Sequence, residues 1–447
     1  MEFWQEEYRR KVCTAEEAVQ TVKSGDWVDY GMAASQPVLL DAALAKRKGE
    51  LKDVKVRGSF TFAPRKVAEC DPFRETFTYS SWHMSAYERG LWQKGMCSFS
   101  PMTFRNKPSY YRKYLDVDVA MITVAPMDSH GWFNFGLNNS ANAAILEKAK
   151  IIIVEVNEAM PRCLGGSEEA VHISRVDHIV EAGSLPITTI PFSLGNEVDS
   201  VVAAQIVEDI PNGATIQLGV GGMPNAVGAM IADSDLKDLG MHTEMLVDAF
   251  YLMAKKGRLT NACKSLDKGK GTFTFAVGSQ EMYDWVDDNP GLASYPVDYI
   301  NDPAVIGQLD NFISINNCVE VDLYGQISSE SSGTRHISGS GGQMDFVDGA
   351  YRSKGGRSYI CFSSVFIDKK TGEKRSRIVP TLLAGTIATV PRTQANWLVT
   401  EYGKVNMAGA STWERAERLI SIAHPDFREE LIKNAQEMGI WRYSNKR

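Results

Sequence analysis

NGATIQLGV, residues 212–220, repeats the pattern of SGDWVDYGM, residues 24–32. In both stretches two glycines six residues apart enclose a short hydrophobic run, which predicts a buried strand that ends in a tight turn. Each copy continues with a proline, a helical pattern and a similar tetrapeptide, LKDV at 51–54 and LKDL at 236–239. The sequence therefore predicts two copies of one strand–turn–helix unit, each leading into a further strand.

The rest of the chain alternates in the same way between strand-like and helical patterns. Runs rich in β-branched residues predict strands at 117–124, 151–156, 214–218 and 397–400. Strands that alternate with helices are typical of α/β proteins with mainly parallel sheets. Weaker echoes pair 116–136 with 309–325, and 151–162 with 397–409.

The repeat predicts two similar open α/β domains related by internal duplication. We place the first domain at residues 1–190 and the second at 191–447, joined near 187–196, and we expect a ligand between them. The alternative is a chance match between common strand–turn–helix units.

Composition narrows the class of protein. The chain has 447 residues, of which 44% are hydrophobic and 23% charged, as in folded globular proteins rather than disordered ones. Its net charge of −7 argues against a nucleic-acid partner, because such proteins present a basic face.

The cysteines and the hydrophobic segments indicate the cellular location that we expect for the protein. Seven cysteines form no CxxC pair and no cluster with zinc spacing, so we expect reduced thiols, no metal site and a cytoplasmic protein. The acidic start, MEFWQEE, does not resemble a secretion signal. The longest weakly polar stretch, 378–390, is too short for a membrane span, so we expect no membrane partner.

Residues 219–223, GVGGM, follow a predicted strand and open a predicted helix; we call them the glycine turn. Glycines let another molecule approach the main chain closely, and the free N–H groups at a helix start favour negative charge. Such a turn can hold a phosphate or an oxyanion. It matches neither the dinucleotide fingerprint nor the P-loop, so a plain tight turn remains the alternative.

The two copies of the repeat differ at one informative position. Six residues after Asp238 stands Glu244, whereas six residues after Asp53 stands Ser59. Only the second copy therefore carries a carboxylate at this strand edge, where it would face the expected ligand. A surface glutamate without function is the alternative.

Three further segments are candidates for ligand contact. Residues 338–342, SGSGG, form a second glycine-rich loop with uncovered amides, or else a mobile loop. Glu401 follows the strand at 397–400 and is expected at the same end of the sheet. The basic run 369–377, KKTGEKRSR, predicts an exposed hairpin tip, with phosphate binding as the alternative.

Together these motifs resemble the acetyl-CoA hydrolase/transferase family of class I CoA-transferases. The similarity spans nearly the whole chain in the right order, and it rests on GVGG, HTEM, GGQMDF, VTEYG and IAHPDF, which begin at residues 219, 242, 341, 399 and 422. It implies two open α/β domains of the CoA-transferase type, in agreement with the repeat.

The resemblance also implies roles for particular residues. Glu244 would be the catalytic nucleophile. CoA contacts and oxyanion donors would come from the main chain of Gly219, Val220, Gly221, Gly222 and Met223, and further CoA contacts from Val319 and Gly342.

The implied reaction is an exchange of CoA between an acyl-CoA and a free short-chain acid. Within the family the chain is most similar to the enzymes that act on butyryl-CoA and acetate, and next to those that act on 4-hydroxybutyrate. Coenzyme A enters as a thioester substrate, no other cofactor is needed, and the family implies a homo-oligomer. Hydrolysis of the acyl-CoA is the rival reaction on the same scaffold. A nucleotide-binding or regulatory module that uses the glycine turn without covalent chemistry is the rival of a different class.

Overall fold

The computed structural model describes residues 2–368 and 371–442. The chain forms two compact units. The first, here the N-terminal unit, comprises the residues up to Pro191 together with Thr272–Ile300. The second, the C-terminal unit, comprises Phe192–Gly271 and the residues from Asn301 onward.

The predicted domains, 1–190 and 191–447, divide the chain once, whereas the units divide it three times. Residues 272–300 belong with the first unit because their main chain bonds to it. The Ala276 N–H donates to the Leu137 carbonyl at 2.8 Å, and the Ser294 N–H donates to the Leu164 carbonyl at 2.8 Å. Such pairing between segments far apart in sequence leaves no local pattern.

The N-terminal unit is built on a parallel sheet. The strands within residues 2–191 are β1 Trp27–Asp29, β2 Val54–Arg57, β3 Phe77–Ser81, β4 Cys97–Phe99, β5 Val119–Val124, β6 Trp132–Asn134, β7 Ile151–Asn157, β8 Ala170–His172 and β9 His178–Gly183. The helices there are α1 Glu2–Lys11, α2 Ala15–Ala18, α3 Leu39–Ala45, α4 Lys66–Glu69, α5 Ala86–Gln93, α6 Lys107–Lys113 and α7 Asn142–Lys148. Seven strands run parallel in the order β4-β3-β2-β1-β5-β7-β9.

The remaining strands and α-helices of the described residues follow. The strands are β10 Thr215–Leu218, β11 Gly240–Leu246, β12 Gly271–Ala276, β13 Leu292–Ser294, β14 Phe312–Asn317, β15 Glu320–Asp322, β16 Ile327–Ser328, β17 Ser331–Ser332, β18 Arg335–His336, β19 Arg357–Cys361, β20 Val365–Ile367, β21 Lys374–Ser376, β22 Ile378–Val379, β23 Trp397–Thr400 and β24 Gly403–Asn406. The helices are α8 Glu197–Val207, α9 Gly222–Asp233, α10 Asp248–Lys255, α11 Gln280–Val286, α12 Val297–Ile300, α13 Pro303–Ile306, α14 Gln343–Arg352, α15 Thr412–Ser421 and α16 Pro425–Glu437. Of the helices described, none has the length and apolar character needed to cross a membrane.

Six strands of the C-terminal unit form a sheet in the order β11-β10-β14-β19-β23-β24. All neighbours in it are parallel except the last pair. The expected α/β class with mainly parallel sheets is therefore confirmed. In such sheets ligands bind beyond the carboxyl ends of the strands, where the strand order reverses. Here the order reverses at β10, which lies between β11 and β14.

The internal duplication is confirmed in detail. In the first copy β1 pairs with β2 so that Trp27 lies opposite Lys55, and in the second β10 pairs with β11 so that Thr215 lies opposite Gly240. In the first copy, Trp27 and Lys55 stand two positions after Gly25 and Asp53. In the second copy, Thr215 and Gly240 stand two positions after Gly213 and Asp238. Asp53 and Asp238 even share a positive φ, 55° and 56°.

One of the weaker echoes is wrong. Strand β5 occupies the place of β14 in the two sheets, as the first echo predicts. The next strands outward are β7 and β19, so Ile151–Asn157 corresponds to Arg357–Cys361 rather than to Trp397–Thr400. The mismatch arose because buried parallel strands share one apolar composition, which does not record their order in a sheet.

Candidate active site

The glycine turn lies beyond the carboxyl end of β10, as predicted. Gly221 precedes α9 with φ 122° and ψ 177°, a conformation that is essentially restricted to glycine. Pro224 is the third residue of the helix, where the N–H it lacks would have no intrahelical acceptor. The Gly219 N–H is already engaged, because it donates to the Ile315 carbonyl at 2.8 Å.

The other amides of the turn are available. Among the described residues, no acceptor lies within hydrogen-bond distance of the main-chain N–H of Val220, Gly221, Gly222 or Met223. Helix α9 adds partial positive charge at this end. The turn therefore presents several N–H donors that can bind a negatively charged oxygen.

Glu244 lies within β11, the strand next to β10. Its side chain is partly exposed, whereas His242, Thr243 and Met245 are buried. One carboxylate oxygen, Oε2, accepts a hydrogen bond from the Asn301 side-chain amide at 2.6 Å. The carboxylate also accepts a hydrogen bond from the main-chain N–H of Gly342. These two donors hold the carboxylate, while the residue as a whole remains partly exposed.

Gly342 has room for no side chain. A Cβ at this position would lie 2.2 Å from Glu244 Oε2 and 2.1 Å from Asn301 Nδ2. Because Gly342 is also the N-cap residue of α14, the carboxylate lies close to the start of that helix, whose partial positive charge favours the ionised acid. The close approach of main chain and acid thus requires glycine.

The pKa of Glu244 is raised from 4.5 to about 7. Burial is the main cause, since it disfavours the charged form, and the nearby Asp345 carboxylate adds to the effect. The hydrogen bonds from Asn301 and Gly342 oppose the rise, because they favour the carboxylate. The group is therefore more basic than an ordinary glutamate and becomes fully ionised only above neutral pH.

Hydrogen bonds connect the candidate residues across the C-terminal unit. The Asn317 side-chain amide donates to the Val220 carbonyl at 3.2 Å. The Gln343 side-chain amide donates in turn to the Asn317 carbonyl at 2.9 Å. Gln343 directly follows Gly342, and Val319 lies two residues after Asn317. The structure thus brings the glycine turn, Glu244, Gly342 and the segment around Val319 together in one unit.

The sequence alone did not identify Asn301 as a residue of the site. The local sequence NDP at 301–303 signals the start of a helix, and Asp302 does cap α13 with Pro303 in its first turn. Nothing in that pattern points to a glutamate 57 positions earlier. Only the fold brings the amide and the acid together.

The structure also describes two of the weaker candidates, Glu401 and part of the basic run 369–377. The Glu401 carboxylate accepts hydrogen bonds from the Ser364 main-chain N–H at 2.9 Å and from its hydroxyl at 2.5 Å. In the basic run, β20 and β21 form the predicted hairpin, while Lys369 and Lys370 lie outside the described residues.

The chain belongs to the acetyl-CoA hydrolase/transferase family. Residues 1–191 match the N-terminal domain of that family and residues 278–435 match its C-terminal domain. The resemblance seen in the sequence is thereby confirmed.

Individual relatives narrow the class. The chain is 55% identical over 445 residues to butyryl-CoA:acetate CoA-transferase of Anaerostipes caccae, which covers 99% of this chain and 100% of that protein. It is 38% identical over 430 residues to 4-hydroxybutyrate coenzyme A transferase of Clostridium kluyveri, covering 96% and 98% respectively. The crystal structure of RipA from Yersinia pestis superimposes with a TM-score of 0.90 at 38% identity, covering 98% of this chain and 99% of that one. The chain is an enzyme of the CoA-transferase type.

Proposed function

We propose that this enzyme exchanges CoA between butyryl-CoA and acetate through a covalent thioester on Glu244. The observation that carries the proposal is the environment of Glu244. This residue is partly exposed, its carboxyl group has a pKa of about 7, and the carboxylate is held by Asn301 and the Gly342 N–H. The identity of 55% to a butyryl-CoA:acetate CoA-transferase supports this choice of acids.

The first half of the reaction conserves the energy of the thioester. The ionised Glu244 carboxylate attacks the thioester carbonyl, and the C–S bond breaks to give a mixed anhydride and the CoA thiolate. The thiolate then attacks the Glu244 carbonyl carbon and expels butyrate. A glutamyl-CoA thioester remains on the enzyme, and acetate repeats the same steps in reverse to leave as acetyl-CoA.

Each addition step places a negative charge on a carbonyl oxygen. The free amides of Val220, Gly221, Gly222 and Met223 are the donors that we assign to this charge, and loss of one such donor costs about 2.7–4 kcal/mol in other enzymes. The main chain near Val319 would contact the CoA arm. The sequence of bond changes needs no metal or redox cofactor.

Initial rates test the scheme. With butyryl-CoA and acetate both varied, a covalent intermediate gives parallel lines in double-reciprocal plots. Glu244→Gln should reduce exchange by several orders of magnitude, and Glu429→Gln, an exposed acid of α16, should not. Intersecting lines, or an active Glu244→Gln enzyme, would refute the proposal. Loss of butyryl-CoA at full rate without acetate would instead identify a hydrolase.

A further inference from the structure

We propose that Arg377 binds a phosphate group of the CoA substrate. The proposal rests on the proposed function and extends it from the reacting thioester to the distant nucleotide part of the molecule. It arises from the basic run 369–377, which the mechanism above does not use.

Two cations in the described part of the hairpin are paired within the protein. Lys374 lies 2.9 Å from Asp426, and Arg375 lies 2.9 Å from Glu373. Arg377 differs from both, because no carboxylate of the described residues lies within 4.0 Å of its guanidinium. Glu320 acts on this guanidinium only through the longer-range attraction between their charges. A guanidinium with no carboxylate in direct contact can still bind a phosphate, for which its planar array of donors is well suited.

The guanidinium of Arg377 is held in place. Its Nη1 donates to the Val319 carbonyl at 2.9 Å, and its Cζ lies 5.2 Å from the centre of the Phe366 ring. Glu320, the next residue after Val319, binds the Thr386 hydroxyl at 3.3 Å. A fixed, preorganised cation loses little side-chain freedom when a ligand binds.

Arg377 lies at the far end of a line of contacts that begins at Glu244. Contacts run from Glu244 through Gly342 and Gln343 to Asn317, and Val319 lies two residues further on. Arg377 is bonded to Val319, at the end of this line away from the acid. Because the phosphates of CoA lie at the opposite end of the molecule from the sulphur, they must bind well away from Glu244, and the proposal places them at this end of the line of contacts.

Substrates that lack phosphates test the proposal. Steady-state rates would be measured for Arg377→Gln, for Arg377→Lys and for the matched control Arg375→Gln, with butyryl-CoA, butyryl-3′-dephospho-CoA and butyryl-pantetheine. Loss of one charged hydrogen bond predicts a fall of about 10- to 100-fold in kcat/KM for butyryl-CoA with Arg377→Gln, mostly through KM. Arg377→Lys should recover part of this loss, and Arg375→Gln should change little.

The truncated substrates decide which phosphate is bound and whether a phosphate is bound at all. Butyryl-pantetheine should react equally well with wild type and Arg377→Gln. If the fall disappears with the 3′-dephospho substrate, Arg377 binds the 3′-phosphate; if it persists there, Arg377 binds the pyrophosphate. An equal fall for all three substrates, or no fall at all, would overturn the proposal.

Direct binding of CoA distinguishes a failure of the role proposed for Arg377 from a failure of the proposed function. Calorimetric titration with free CoA should show weaker binding by Arg377→Gln than by wild type. Equal binding by both would refute only the role of Arg377. An absence of CoA binding by wild type would refute the proposed function itself.

Discussion

Replacement of Glu244 by glutamine should stabilise the protein at alkaline pH and not at acid pH. Glutamine preserves the shape of the side chain and keeps an oxygen for the hydrogen bonds from Asn301 and Gly342. It removes a negative charge that is held in a partly buried site beside Asp345. The difference in the free energy of unfolding therefore measures what the charge costs.

The size of the effect follows from the pKa. A carboxyl group with a pKa of about 7 in the folded protein and 4.5 in the unfolded chain takes up a proton on folding at pH values between these two. The stability that it contributes is present below pH 4.5 and is lost as the pH rises to 7. At about 1.4 kcal/mol for each unit of pKa, the loss amounts to about 3 kcal/mol. Partial exposure and solvent screening reduce this to about 2–3 kcal/mol.

Chemical denaturation at pH 5 and pH 8 provides the assay, with Glu429→Gln as the control for an exposed acid. Wild type and Glu244→Gln should be nearly equally stable at pH 5, and at pH 8 Glu244→Gln should be more stable by about 2–3 kcal/mol, which for a chain of 447 residues is a rise of roughly 2–3 °C in Tm. A difference that stays the same at both pH values, or a less stable variant at pH 8, would refute the reasoning on the charge.

Three further predictions concern single residues. Gly342→Ala should lower kcat at least 100-fold, because its Cβ would lie 2.2 Å from Glu244 Oε2; steady-state rates check this, and a near-normal kcat would contradict it. Asn301→Ala removes a donor that favours the carboxylate, so the pH at which kcat/KM reaches half its maximum should move upward from about 7; an unchanged or lower midpoint would argue against this role. Lys107→Met should stabilise the protein by a few kcal/mol at pH 6 and by less at pH 10. Burial lowers the pKa of Lys107 to about 7, so its positive charge destabilises the folded protein below that pH. Urea titrations that show no gain in stability at pH 6 would contradict the account.

The internal repeat made the fold predictable because its signals are local. Gly25 and Gly213 have positive φ values of 89° and 75°, and the spacing of glycines in the sequence was enough to locate both turns. The same spacing brought Glu244 to notice, since its counterpart Ser59 carries no charge. Where one copy of a duplicated unit gains a reactive group, the sequence alone can point to it.

The parts that could not be predicted depend on pairing between distant segments. Asn301 acts on Glu244 across 57 residues, and residues 272–300 join the N-terminal unit through main-chain bonds to 137–164. Neither relation changes the local hydrophobic period. The pKa of Glu244 likewise depends on burial and on Asp345, which only the assembled C-terminal unit provides.

Trapping of the covalent intermediate tests the central claim most directly. Wild-type enzyme mixed with butyryl-CoA in the absence of any acid, then reduced with borohydride and digested, should carry its modification on the peptide that contains Glu244. The Glu244→Gln enzyme treated in the same way should remain unmodified. A modified peptide elsewhere in the chain, or an unmodified wild-type enzyme that still exchanges CoA, would contradict the account.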